Sequence, residues 1–200
     1  MEFLPREIII EIFGYLSFNE LIKLQLMDKL FKQIIRKNKW PHITVRPKNS
    51  LHKINFIIDN YSFTNYDLSN CNQITDTSVS KLGNCHTLNF SWCSQITDAG
   101  VSKLGNCHTL NLSGCSQITN ESVSKLGNCH TLNLYGCDKI TDASVSKLGN
   151  CHTLNLAFCY QITDASALKL GKCHTLSLLG CNKVTDVVIN QLRITVKNFY

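Results

Sequence analysis

This 200-residue chain is short of several things that would narrow its role at once. It has no run of about 18 apolar residues, the length a membrane-spanning helix needs. Pro5, Arg6, Glu7 and Glu11 stand where a cleavable export signal would place a basic start and an apolar core. The chain is therefore expected in the cytosol or nucleus, with no membrane partner. A phosphate-cradling glycine loop, a GxSxG elbow and an HExxH helix are all absent, which removes three common signs of catalysis. No C-x-x-C spacing occurs either, although there are 11 cysteines. Their count is odd, no export signal precedes them and all fall inside repeats, so they are read as reduced thiols.

Charge is present in modest excess, a formal +6, and residues 1–50 hold nine Lys and Arg against five Asp and Glu. The cluster Lys29, Lys32, Arg36, Lys37 and Lys39 has no interleaved aromatics, so it is read as a solvated helix face and no nucleic acid partner is expected.

The dominant feature is a 22-residue period. Cys85, Cys107, Cys129, Cys151 and Cys173 repeat at that interval, as do Cys71, Cys93, Cys115, Cys137, Cys159 and Cys181. In the unit from Cys107 to Asn128, Cys107, Leu110, Leu112 and Cys115 follow the leucine-rich-repeat spacing. Strand alternation sends Leu110 and Leu112 to a core face and Thr109, Asn111 and Ser113 to an open one. Ile118 then re-enters the core, Thr119 and Asn120 can cap a helix of about two turns, Val123 and Leu126 share its inner face, and Gly127 is a flexible terminator. Such units stack into a parallel sheet, each burying its apolar face only against the next.

Adjacent Cys-His pairs, from Cys85-His86 to Cys173-His174, contain zinc-ligand residue types. Neighbouring strand residues point to opposite faces, however, so a pair cannot converge on one ion. Near-identical copies along a ladder are what duplication makes, not what one nucleophilic centre requires. No metal, cofactor or catalytic residue is expected, and the chain reads as a binding module rather than an enzyme.

The first forty residues do not share the period. Leu4, Ile8, Ile12 and Leu16 form one stripe of a first helix, and Ile9 and Phe13 form another. Ser17 and Glu20 have capping-box spacing for a second helix carrying Leu21, Leu24 and Met27, and a third holds Leu30, Phe31, Ile34 and Ile35 before Trp40. So small a bundle cannot bury that much apolar surface alone, which predicts an obligate neighbour.

Leu4-Pro5, Glu7-Ile8, Ile12-Phe13, Tyr15-Leu16, Leu21, Lys29 and Phe31, closing on Trp40, resemble an F-box, the module that docks onto the Skp-type adaptor of cullin-based ubiquitin ligases. An F-box joined directly to cysteine-containing leucine-rich repeats resembles a substrate receptor. The resemblance implies that Leu4, Pro5, Ile8, Ile9, Ile12, Phe13, Leu16 and Leu21 make or support adaptor contacts. Phe18-Asn19 and Met27-Asp28 depart from the family's usual proline and valine-serine steps, which bears on adaptor affinity more than on the three-helix fold.

The two residues after each repeat's last strand position vary: Ser69-Asn70, Ser91-Trp92, Ser113-Gly114, Tyr135-Gly136, Ala157-Phe158 and Leu179-Gly180, with Tyr160 nearby. Trp92, Ser113, Tyr135, Phe158, Tyr160 and Leu179 are accordingly the candidate contacts to a target protein, since aromatic anchors dominate interfaces. The alternative is drift, with bulky groups covering neighbouring glycines.

The expected fold class is α/β. A three-helix F-box at 2–41 leads to a capping strand and helix at 42–62, with Ile54, Ile57 and Ile58 on the helix. Six repeats follow at 63–185, with the parallel sheet concave and the short helices convex. A C-terminal helix end and partial seventh strand fill 186–200, the strand at 194–200 in 22-residue register. The expected function is the substrate-recognition subunit of an SCF-type ligase, with a Skp-type adaptor, its cullin complex and a protein target as partners. The alternative is a ligase-independent scaffold or decoy.

Overall fold

Helix starts in the N-terminal part are set by side chains that complete the first turn. The computed structural model describes residues 4–47 and 51–200. Residues 2 and 3 of the expected F-box and 48–50 of the expected capping segment lie outside these. Pro5 stands just before α1, Arg6–Gly14, and fixes its entry. Helix α2, Phe18–Leu24, opens on the expected capping box: the Ser17 N–H donates to Glu20 Oε2 at 2.7 Å, and the Glu20 N–H donates to Ser17 Oγ at 3.4 Å. Helix α3, Lys29–Lys37, has a cap the sequence reading passed over, with Asp28 Oδ1 accepting from the Leu30 N–H at 2.6 Å.

The chain divides into two compact units, Met1–Asp67 and Leu68–Tyr200. In the first, the three helices share a core with β1 (Lys39–Val45), α4 (Leu51–Asn60) and β2 (Ser62–Asp67). Phe13 meets Phe31 edge-on at 5.3 Å and lies 6.4 Å from Trp40, whose indole N–H donates to the Ile35 carbonyl at 2.9 Å. Burying a tryptophan requires such a partner for its N–H. Strands β1 and β2 run parallel, and their register shifts between Trp40 and Thr44. Pro41 falls in that gap and has no N–H to give the ladder; its carbonyl accepts from Asn65 Nδ2 instead, at 2.5 Å.

The second unit is a stack of short parallel strands. They are β3 (Thr87–Asn89), β4 (Thr109–Asn111), β5 (Thr131–Asn133), β6 (Thr153–Asn155), β7 (Thr175–Ser177) and β8 (Asn198–Phe199). From β3 to β7 each residue pairs with the one 22 positions on, so Leu88, Leu110, Leu132, Leu154 and Leu176 form one row. These leucines are at most 1 % exposed, and the row of Cys93, Cys115, Cys137 and Cys159 is fully buried. Each thiol of that second row donates back to a carbonyl of the preceding unit, as Cys115 Sγ does to Phe90 O at 3.1 Å. Among the described residues no helix is long and apolar enough to cross a membrane.

The convex side carries α5 (Asp76–Ser80), α6 (Asp98–Val101), α7 (Asn120–Val123), α8 (Asp142–Val145) and α9 (Asp164–Ala167). Four of these have only four residues each, shorter than the two turns expected. A helix that short has no stability of its own. Side chains from the neighbouring unit hold it: Asp98 Oδ1 accepts from the Thr119 N–H at 2.9 Å, and Asp98 Oδ2 accepts from the Thr119 hydroxyl at 2.6 Å. Asp76, Asp142 and Asp164 repeat the bridge to Thr97, Thr163 and Thr185.

Two further sequence expectations are corrected. Gly127 is not the helix terminator expected: α7 ends at Val123, and a β-carbon on Gly127 would lie 2.6 Å from the Lys147 carbonyl oxygen, so the residue is small to let two units approach. The last strand is not in 22-residue register. Helix α10, Asp186–Thr195, runs through Ile194 and Thr195, and Thr175 pairs with Asn198, an offset of 23. A full helical capping segment takes one residue more than the repeat allows.

Candidate protein-binding surfaces

Helix α1 separates its apolar residues cleanly. Ile9 and Phe13 point into the unit and are 7 % and 4 % exposed, whereas Leu4, Ile8 and Ile12 are 56 %, 42 % and 45 % exposed. Positions four apart lie one above another on a helix, so Ile8 and Ile12 make a stripe that Leu4 extends beyond the N-terminal end. Pro5 is exposed, Leu16 is half-buried and Leu21 is fully buried. The eight residues expected at the adaptor contact thus split into an outward group, Leu4, Pro5, Ile8 and Ile12, and an inward group that fixes the helix orientation. Tyr15, Leu26 and Met27, at least 75 % exposed, are further large apolar side chains left open in this unit.

In the repeats, the variable positions form a line at the C-terminal ends of the strands. Trp92 and Tyr135 have ring centroids 6.5 Å apart, Tyr135 and Phe158 5.1 Å, and Phe158 and Tyr160 6.4 Å. Each pair is edge-to-face, the arrangement that aligns a ring's positive edge with its neighbour's negative face. Trp92, Tyr160 and Leu179 are exposed, and Tyr135 and Phe158 are half-buried by the packing of the line itself. Ser113 does not belong with them. It is 8 % exposed, and its hydroxyl donates to Asn111 Oδ1 at 2.8 Å, so strand alternation has already ended there.

The backbone explains where the large groups sit. Asn70, Trp92, Gly114, Gly136, Phe158 and Gly180 occupy the same place in successive units, and all have positive φ, between 58° and 75°. Glycine takes that conformation without cost and other residues do not. Trp92 and Phe158 each lie over the glycine of the next unit: a β-carbon on Gly180 would approach Phe158 Cδ1 to 2.7 Å. The covering of glycines by bulky neighbours is therefore real at two positions, and it leaves Trp92 55 % exposed all the same. Uniform left-handed geometry at this position was missed from the sequence, although three glycines in six units were its sign.

On the concave face, Asn111, Asn133 and Asn155 each accept, through Oδ1, the N–H two residues on, all at 3.0 Å. These half-buried asparagines recur in register along the strands, a feature hidden in the sequence by its very invariance. The buried cysteines of the ladder are poorly suited to react. Burial pushes the thiols of Cys107, Cys115 and Cys129 up to about 12, and an unionised thiol is neither nucleophile nor metal ligand. Among the described residues no group of three or more His, Cys, Asp or Glu is placed to hold a metal ion.

Comparisons agree with this division. Residues 1–42 match the F-box domain, and residues 86–105 and 108–127 match the leucine-rich repeat. Among curated proteins no sequence matches. A chain of the yeast Rad7–Elc1 complex is similar in structure, with a TM-score of 0.61 and 18 % identity over 84 % of this chain and 57 % of that one. An internalin, inlF, from Listeria monocytogenes is similar with a TM-score of 0.57 and 17 % identity over 90 % of this chain and 54 % of that one. The chain thus spans little more than half the length of either. At such identities the likeness is one of fold. The chain carries an F-box domain over residues 1–42, with leucine-rich repeats following it.

Proposed function

We propose that this protein is a substrate receptor of an SCF-type ubiquitin ligase: the F-box binds a Skp-type adaptor, and the repeats hold a target protein. The observation that carries the reading is the exposed stripe of Leu4, Ile8 and Ile12 within the F-box match. Apolar side chains left open along one helix face, over a core that orients the helix, suit a helix-to-helix contact with a partner. The aromatic line from Trp92 to Tyr160 and the asparagine row beside it support protein capture by the repeats. The chain itself performs no bond-making step; ubiquitin transfer belongs to other subunits. Its contribution is proximity, which raises the effective concentration of target lysines near the conjugating enzyme.

The test is capture of a purified Skp-type adaptor by the full chain and by an Ile8→Asp/Ile12→Asp variant. Capture by the parent chain, lost in a variant whose melting temperature is unchanged, is the expected result. Absence of capture by the correctly folded parent overturns the reading and leaves a ligase-independent binding scaffold in its place.

A further inference from the structure

The edge of the repeats opposite the aromatic line is built from five imidazoles. His86, His108, His130, His152 and His174 stand immediately before successive strands, and their rings stack face to face at centroid distances of 4.6, 4.6, 4.5 and 4.4 Å. The first four are exposed and His174 is half-buried. In His86, His108, His152 and His174, Nδ1 lies 3.1–3.3 Å from the hydroxyl of the following threonine. That contact occupies one ring nitrogen and turns Nε2 away from it.

Lysines recur in the connections that lead from each helix to these histidines. Lys103, Lys125, Lys147 and Lys169 are exposed and recur one unit apart, each five residues before its histidine, and Lys172 adds a further cation. The segments 102–109, 124–131, 146–153 and 168–175 contain no Asp or Glu. Asp98, Asp142 and Asp164 are instead bonded to threonines of the next unit, while Glu121, four residues before Lys125, and Asp138, after β5, are exposed. Charge is thus unevenly placed across the stack: one edge is cationic or able to become so, and Asp98, Asp142 and Asp164 are engaged in the bridges between units.

We infer that the His86–His174 edge, with Lys103, Lys125, Lys147 and Lys169, is a docking surface for an acidic segment of a partner protein. The inference rests on the reading that the repeats bind protein, and it adds the chemistry of what they bind. Carboxylates running along the edge accept hydrogen bonds from successive Nε2 groups and pair with the lysines. An acidic polypeptide fits better than single-stranded nucleic acid. Bases need open aromatic faces to stack upon, and here the ring faces are used up against one another.

The surface is proton-linked. Desolvation first, then the neighbouring rings His86 and His130, hold His108 below the ordinary histidine range, and desolvation, His130 and His174 do the same to His152. The lysines named above add like charge along the same edge, and Asn198 Nδ2 meets His174 Nδ1 at 3.4 Å at its far end. In the free protein His108 and His152 therefore favour the neutral ring; carboxylates placed against them favour the protonated form, so binding takes up protons and tightens as pH falls.

The experiment measures binding of a fluorescent deca-glutamate peptide to the full chain at about pH 5.5 and about pH 7.5, against a decathymidine probe. The expected result is peptide binding about tenfold tighter at the lower pH. In the His108→Gln/His130→Gln/His152→Gln variant, which keeps only His86 and His174 of the ladder, most of the pH dependence is lost. In Lys103→Gln/Lys125→Gln/Lys147→Gln, binding weakens at both pH values and the dependence remains. If the histidine variant does not fold, the lysine variant, altered only at exposed side chains, still decides between edge binding and none. No binding by the folded parent, pH-independent binding, or tighter binding of decathymidine overturns the proposal. Adaptor capture measured on the same preparations reports separately on the F-box reading.

Discussion

The indole of Trp92 lies across Gly114 of the next unit, so close that a β-carbon on the glycine would enter the ring, and both residues hold left-handed backbone, at φ 62° and 70°. Gly136 has the same backbone, at φ 67°, but open space around it. Gly136→Ala therefore carries only the left-handed penalty, about 1 kcal/mol. Gly114→Ala must also displace the indole and is expected to cost about 2–3 kcal/mol. Urea unfolding of the two variants separates these contributions; equal costs would mean that the ring swings aside freely.

Replacing Asp142 separates the geometry of the inter-unit bridge from its charge. Its oxygens accept from the Thr163 N–H at 2.9 Å, the Thr163 hydroxyl at 2.6 Å and the Ser166 hydroxyl at 2.5 Å. Asp142→Ala strands these donors and is expected to cost about 1–3 kcal/mol. Asn120 already performs the same task one unit earlier, accepting from the Thr141 N–H and donating to its hydroxyl, both at 2.9 Å. Asp142→Asn is accordingly expected to stay within about 1 kcal/mol of the parent in the same unfolding measurement.

Acid should loosen the repeats through these bridges. Desolvation raises the carboxyls of Asp98 and Asp142, but hydrogen bonds from Ser122 and Thr119, and from Ser166 and Thr163, outweigh it and leave both below the ordinary aspartate value. A depressed folded value means stability that is fully present above the unfolded value, about 3.9, and is lost as pH falls through the folded one. Thermal midpoints followed from about pH 5 down to pH 2 should decline, and less steeply in Asp142→Asn. An unchanged slope in that variant would remove Asp142 from the account.

The two faces of α1 should respond to mutation to very different degrees. Phe13→Ala empties a site bounded by Phe31 and Trp40 and is expected to destabilise the N-terminal unit by about 3–5 kcal/mol. Ile12→Ala removes a side chain 45 % exposed and should change stability by no more than about 0.5–1 kcal/mol. Thermal melts of the full chain distinguish them; comparable losses would show that the Ile12 side of the helix is also packed.

Native thiols should be nearly inert. Burial raises Cys107 and Cys151 to about 12 from an ordinary 9.0, which at about pH 8 lowers the thiolate fraction on the order of a thousandfold. A thiol-reactive dye should label the folded chain slowly and the urea-unfolded chain at once at all 11 cysteines. Rapid labelling of the folded chain would contradict the buried rows.

Much of this molecule could be read from spacing. Leu110 and Leu112 announced a buried strand face, Ser17 and Glu20 announced a helix start, and the 22-residue interval announced the register of β3 to β7. Periodicity failed where an effect depended on a neighbour in space. Gly127 looked like a helix terminator because nothing local shows that the Lys147 carbonyl lies against it. Ser113 looked open because alternation was extended past Asn111, where the strand ends and the side chain folds back. The imidazole stack was present as five evenly spaced histidines, but ring-on-ring contact is a property of the ladder that no single unit contains.

The bridge from Asp98 to Thr119 recurs from Asp142 to Thr163, so consecutive units meet through one shared joint. Removing residues 107–128 would splice Asn106 to Cys129 and bring Asp98 opposite Thr141, a threonine in the same structural place as the partner it lost. The number of units is thus not fixed by the fold. Genetic shortening or lengthening by whole 22-residue steps keeps every joint intact. It would alter only the reach of the stack, a quantity selection can adjust without redesigning a core.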